Sequence, residues 1–217
     1  MIQVSELHFS TDDGFTVLEN VHLHINRGEL AFLIGASHAG KSLLLGLLAA
    51  QIPSQQGQIL VCGRNIARLN KEKTFALRRK IGFLPQHFTL LPKSVADNII
   101  FKLRALGNSR EQSEEQALTA LETVGLIDKL STPATELKAI DQLKLAIATS
   151  ICNEPSLLLC DEPLGGLSPE DKSEAIALLE RLNARGLTIL VTAKSPLPPI
   201  RASHRTILIT DGRIKEE

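Results

Sequence analysis

"GASHAGKS", residues 35–42, stands between the apolar run "LAFLI" (30–34) and the leucine-rich "LLLGLL" (43–48). The eight residues match GxxxxGK[ST] in full, and a strand-like run before and a helix-like run after are the setting that pattern needs. The backbone N–H groups of Gly35, Ala36, Ser37, His38, Ala39 and Gly40, with those opening the helix at Lys41, Ser42 and Leu43, then form a concave anion site. Lys41 is placed to reach β- and γ-phosphates, and the Ser42 hydroxyl to ligate Mg²⁺. The other reading of these residues, a chance small-residue turn, leaves the flanking runs unexplained.

A second stretch fits the same chemistry. "PSLLLCDEP" (155–163) is a buried-strand pattern that ends in two acids. Asp161 reads as the outer partner of a phosphate-bound Mg²⁺, and Glu162 as the group that orients or deprotonates an attacking water. Taken alone, a DE pair is a solvated strand end; after a phosphate loop it reads as half of one site. A guanine-specific enzyme would need an NKxD reader. The nearest match, "NKEK" (70–73), lacks the Asp and lies before the helical region.

Composition narrows the class. Lys plus Arg and Asp plus Glu each total 24, so no global field points to nucleic acid. The aromatics are seven Phe with no Tyr or Trp, which argues against base stacking as a recognition mode. Cys62, Cys152 and Cys160 form no CxxC spacing, and Cys160 in its apolar run reads as a buried thiol in a reducing compartment. The opening "MIQVSELHFSTDD" lacks a signal-peptide pattern, and no apolar run approaches the roughly 20 residues of a membrane helix. A cytoplasmic protein is expected, reaching a membrane only through a partner.

Along the chain, "VHLHI" (21–25) alternates, with Val21, Leu23 and Ile25 on one face. His22 and His24 could bind a metal, but a solvated strand face is the better reading. Residues 54–66 read as turn, strand, turn. From about 70 to 150 the pattern is helical. Ser113 and Gln116 have capping-box spacing, and Ala117, Leu121 and Val124 make an apolar face that Gly125 ends. Ser168 and Pro169 open another helix, with Ile176, Leu179 and Leu182 inward and Gly186 as its stop. "LTILVTA" (187–193) is a third buried strand, "SPLPPI" (195–200) is no helix interior, and "RTILIT-DG-RI" is a closing hairpin. Buried strands alternating with helices predict an α/β fold with a mostly parallel sheet.

On these residues the chain resembles the ATP-binding subunits of ABC transporters over almost its whole length. "RRKIGFLPQHFTLLPKSVADNI" (78–99), "VGLIDKL" (124–130) and "DEPLGGL" (161–167) bring it nearest the cell-division (FtsE-type) and lipoprotein-release ATPases. The resemblance implies one P-loop nucleotide-binding domain over 1–217, with an antiparallel β subdomain and a helical subdomain at about 88–150. It implies ATP and Mg²⁺ as ligands, with Gln86 as the Q-loop glutamine joining Ser42 and Asp161 at the metal. It also implies a head-to-tail homodimer or a heterodimer with another ABC ATPase subunit. An integral membrane subunit would dock near Gln86 and hold the protein on the inner face of the cell membrane.

Several family positions depart. The signature LSGGQ/E aligns with Leu137-Lys138-Ala139-Ile140-Asp141, without the serine or either glycine. In the family those glycines let the opposite backbone approach the γ-phosphate, which a residue without Cβ permits. The segment "TELKAIDQLKLAIATSI" instead offers Thr135 as an N-cap and a stripe of Leu137, Ile140, Leu143, Ile147 and Ile151, so the helix is expected to begin early. Lys138 reads as a solvated lysine, with a phosphate contact as the sharper alternative. The switch histidine is Lys194, a charged donor with no acceptor. Ser168 takes the D-loop aspartate position, His38 replaces a common loop glycine, and the adenine-stacking aromatic falls near Thr11, with Phe9 and Phe15 as substitutes. The expectation is an ATP-binding subunit with weak or absent hydrolysis as a homodimer. Its rivals are an active ATPase driving export or lipoprotein release, half of a heterodimeric ATPase, and a nucleotide-gated scaffold.

Overall fold

The computed structural model describes residues 1–194 and 197–215. The N-terminal strands β1 (Ile2–Ser10) and β2 (Thr16–Ile25) pair antiparallel and are joined by β4 (Gln56–Val61) and the short β5 (Arg64–Asn65), in the order β2-β1-β4-β5. Alternation sets which face is covered. Val21, Leu23 and Ile25 are buried, while His22 and His24 point outward and hydrogen-bond the side chains of Asn20 and Asn26. Among the described residues, no group of three metal-ligating side chains comes together.

The second sheet contains β3 (Leu30–Ile34), β6 (Ile81–Leu84), β7 (Leu157–Cys160), β8 (Thr188–Ala193), β9 (Arg205–Thr210) and β10 (Arg213–Lys215), in the order β10-β9-β3-β8-β7-β6. From β9 to β6 all neighbours are parallel; β10 closes the edge antiparallel through Asp211-Gly212, both at positive φ. Strands covered on both faces carry continuous apolar sequence. Ala31 and Leu33 of β3 face one core with Leu157, Leu159 and Leu190, while Leu30 and Phe32 face the other with Leu158, Cys160 and Val191. The first core is closed by the antiparallel sheet and by α1 (Lys41–Leu48). The second is closed by α3 (Val95–Ala105), α4 (Arg110–Val124), α5 (Ala139–Ile151) and α6 (Pro169–Ala184). The remaining helix, α2 (Lys71–Arg78), precedes the edge strand β6.

Three local expectations are corrected. The stretch from 70 to 150 is interrupted by β6, whose four residues pair with β7; at Gly82 an added Cβ would lie 2.7 Å from the Ser150 carbonyl, so α5 passes directly against this strand. The capping box belongs to Ser109 and Gln112, one turn before Ser113; the Ser113 hydroxyl is buried and donates to the Ser109 carbonyl. The signature-position helix does not start at Thr135. Ala134–Glu136 is a single 3₁₀ turn, Leu137 is extended, and α5 begins at Ala139 with Lys138 as its flanking residue. The Leu137 carbonyl accepts from the Gln142 side chain, which holds the chain out of a continuous helix there. The apolar stripe is as read, with Leu137, Ile140, Leu143 and Ile147 buried and Ile151 half-buried.

Ser168 caps α6 by accepting from the Asp171 N–H, with Pro169 in the first turn, and Gly125 ends α4 at φ +76°. Of "SPLPPI", Ser195 and Pro196 lie outside the described residues, and 197–200 are neither helix nor strand. Cys152 and Cys160 are buried free thiols, and burial pushes both thiols up from the ordinary cysteine pKa. No helix among the described residues is long and apolar enough to cross a membrane.

Candidate functional site

Four parallel strands end at one edge of the second sheet, where open α/β sheets bind ligands. The loop after β3 carries Gly35–Gly40, Gln86 follows β6, Asp161 and Glu162 follow β7, and Lys194 follows β8. Residues 35–42 thus meet residues far away in sequence because parallel strands order them side by side.

The phosphate loop is shaped by close packing. A Cβ at Gly35 would sit against the Ile209 carbonyl oxygen and 2.8 Å from the Ile209 Cγ2. Gly40 turns the chain into α1 at φ +94°, with Leu18 packed against it. His38, also at positive φ, is exposed with Ala36 and Ser37, while Ala39 is buried against the core. The Lys41 ammonium is buried and donates to the carbonyls of Gly35 (2.8 Å) and Ala36 (2.7 Å). Ser42 is exposed at the first turn of α1, and Leu43 beside it is half-buried.

Glu162 is the centre of the site. Its Oε1 lies 3.1 Å from Lys41 Nζ, and its Oε2 lies 3.1 Å from Lys194 Nζ and accepts from the Gln86 amide at 3.2 Å. Burial raises the pKa of this carboxyl, but hydrogen bonds and charge from Lys194 and Lys41 outweigh it and hold the group below the ordinary glutamate value. Glu162 adopts φ +44°, and its N–H donates to the Thr192 hydroxyl. That hydroxyl donates in turn to Asp161 Oδ1 at 2.7 Å. Thr192 therefore orients both acids from the neighbouring strand. Nothing in the sequence singles it out, because it is one more β-branched residue in a buried run.

A cavity of about 500 Å³ opens over these groups, lined by Ser42, Lys41, His38, Gln86, Glu162 and Lys194. Phe15, exposed at the tip after β1, forms its outer wall with Ser37 and Leu43; Phe9 is packed against the first core instead. Asp161 is buried behind the wall rather than lining it. The donors available to a metal are the Ser42 hydroxyl, the Gln86 amide oxygen and the Asp161 carboxylate, all hard oxygens that suit Mg²⁺. A separate groove of about 290 Å³ follows Gln86, lined by Phe83, Pro85, Phe88, Leu91, Phe101 and Ala146.

The signature-position segment lies apart from this cavity. Lys138 and Ala139 are exposed and Ile140 turns into the second core. Asp141, buried in the first turn of α5, pairs with Lys129 and with Lys144 at 3.8 Å; Lys144 also pairs with Glu174 of α6. This network was not legible from spacing, since its members are 3 to 45 positions apart.

The chain is similar to several known proteins. The ABC transporter family matches residues 18–165. The cell division ATP-binding protein FtsE of Streptococcus pneumoniae serotype 2 is 34% identical over 99% of this chain and 94% of its own length. FtsE of Escherichia coli K12 is 34% identical over 93% and 91%. The methionine import ATP-binding protein MetN of Carboxydothermus hydrogenoformans is 35% identical over 92% of this chain and 60% of its own. Among solved structures, the dimeric post-hydrolysis state of the ATP-binding cassette MJ0796 bound to ADP and Pi superposes with a TM-score of 0.85 at 25% identity, covering 100% of this chain and 97% of that one. CbiO1 of Clostridium perfringens shares the fold, with a TM-score of 0.88 at 24% identity over 99% and 86%.

Proposed function

This chain belongs to the ABC transporter family and is an ATP-binding subunit of the FtsE-like kind; we propose that it binds Mg²⁺–ATP at Gly35–Leu43 and hydrolyses it weakly or not at all as a homodimer. The proposal covers residues 1–217 as one nucleotide-binding domain, with 88–150 as its helical part. Lys41 and the loop N–H groups hold the phosphates, Phe15 flanks the base, and Ser42, Gln86 and Asp161 hold the metal. The metal, when bound, neutralises β- and γ-oxygen charge.

One observation carries the hydrolysis reading. Glu162, the candidate base, is paired at 3.1 Å with the Lys194 ammonium, which holds its pKa down, away from the near-neutral value that general-base chemistry favours. Lys194 at the switch position is a donor only and cannot accept a proton from water while charged. The partner-facing contribution is also missing, because Ala139 and Ile140 stand where the family has glycines. Losing one preorganised donor costs about 10²–10³ in rate, and a charge supplied in trans is worth about 10³–10⁵. A typical turnover of about 10 s⁻¹ then falls to a trace.

Two measurements test this. Mg²⁺–ATP at 100-fold above Kd is expected to stabilise the protein by about 2.7 kcal/mol in a thermal-shift titration. Steady-state turnover is expected well below about 1 s⁻¹; faster turnover abolished by Glu162→Gln overturns the reading. The contrast between a complete phosphate loop and an altered signature also favours a heterodimer. Mixing with a relative that carries an intact signature is then expected to restore turnover dependent on this chain's Glu162. Demonstrated association without gain in rate counts against it. Docking of an integral membrane subunit in the groove after Gln86 would place the protein peripherally on the inner face of the membrane.

A further inference from the structure

Residues 64–80, "RNIARLNKEKTFALRRK", contain Arg64, Arg68, Lys71, Lys73, Arg78, Arg79 and Lys80 against a single acid, Glu72, in a chain whose charges cancel only when this segment is included. Apart from the half-buried Arg64, all these cations are exposed, and none is ion-paired with a carboxylate among the described residues. Arg78 and Arg79 reach only backbone carbonyls, of Ala50 and Leu106. Lys71, Phe75 and Arg78 of α2, with Arg79 just past its end, recur at helical spacing, so they form one outward stripe opposite the buried Leu77. Phe75 is 53% exposed in the middle of it, with the Arg79 guanidinium 4.9 Å from its ring.

We propose that this stripe is a contact surface for an anionic phospholipid headgroup layer. An apolar ring rimmed by cations fits the boundary between headgroups and acyl chains, where basic amphipathic helices lie. Position supports it. α2 precedes the edge strand of the second sheet, and α3 links the stripe to the groove after Gln86: Phe101 lines that groove, and Leu106, just beyond the end of α3, accepts the hydrogen bond from Arg79. This rests on the docking proposed above: a membrane subunit seated in the groove would leave the stripe beside it. A second copy of this chain is the competing occupant, since Glu114, Glu115 and Glu122 surround the exposed Leu118 on α4. A basic patch meeting an unlike acidic patch is a heterologous contact, which grows open chains unless the rotation closes. A lipid surface carries no such requirement.

The test is sedimentation of the full chain with vesicles of phosphatidylcholine alone or mixed with phosphatidylglycerol. Binding is expected only to the anionic vesicles, and to be lost as salt rises from about 0.05 to 0.5 M. Each cation near an anionic leaflet contributes about fivefold in affinity, so Lys71→Glu/Arg78→Gln/Arg79→Gln together should lower it at least about 100-fold. The variant's thermal midpoint and Mg²⁺–ATP shift, both expected unchanged, show that it is folded and that the nucleotide site is separate. Equal binding to both vesicle types, no binding to either, or wild-type binding by the variant overturns the proposal. So does concentration-dependent self-association without vesicles that the triple variant abolishes, which assigns the stripe to a second copy.

Discussion

At the residue scale, the Glu162 carboxylate links folding stability to pH. Its folded pKa lies below that of an unfolded glutamate, about 4.3. The stability from its two ion pairs is therefore present above that value and lost as pH falls through the lower folded value. Lys194 is about half exposed, so its share is that of a screened pair, about 0.2–1 kcal/mol. Lys194→Met is expected to lower the unfolding free energy from a urea titration by that amount at pH 7. The gap should close as pH falls through the lowered folded pKa, once the carboxyl is protonated in both proteins. A gap independent of pH would mean that Lys194 contributes packing alone. Lys41, by contrast, retains two loop carbonyls whatever happens to Glu162, so the loop keeps its shape without the acid.

At the scale of elements, the start of α5 has become a joint. Asp141 sits in the helix's first turn, where a negative charge is favoured, and draws Lys129 and Lys144 to it. Lys144 extends the link to α6 through Glu174. Asp141→Asn keeps the volume and removes the charge that both lysines share. It is expected to cost about 1–3 kcal/mol in a urea titration with unchanged slope, because two partly buried ammonium groups lose the negative charge they share. The Mg²⁺–ATP thermal shift should persist, since Asp141 does not line the nucleotide cavity.

For the molecule as a whole, the sequence revealed what is contiguous and concealed what is assembled. The phosphate loop was legible because Gly35–Ser42 carries its own donors, hinge glycines and flanking runs in one stretch. The three buried apolar strands were legible because burial on both faces leaves no charged position in them. β6 was hidden: four residues with a glycine after two arginines and a lysine make no periodic signal, and only its pairing with β7 defines it. The meeting of Gln86, Glu162 and Lys194 was hidden too, because the order β3-β8-β7-β6 reverses their sequence order. Thr192, on β8, touches both acids after β7 solely because those two strands are neighbours.

Ile140 has a consequence for any attempt to repair the chain. Its side chain fills space among the residues of the second core rather than projecting from the tip of α5. Putting glycine back would open a void of isoleucine size, costing about 2–5 kcal/mol, and weaken the helix by about 1 more. Glycine at 140 therefore demands that the neighbours of Ile140 be redesigned first. Writing the family's signature into residues 137–141 letter by letter would destabilise this protein before it could speed it.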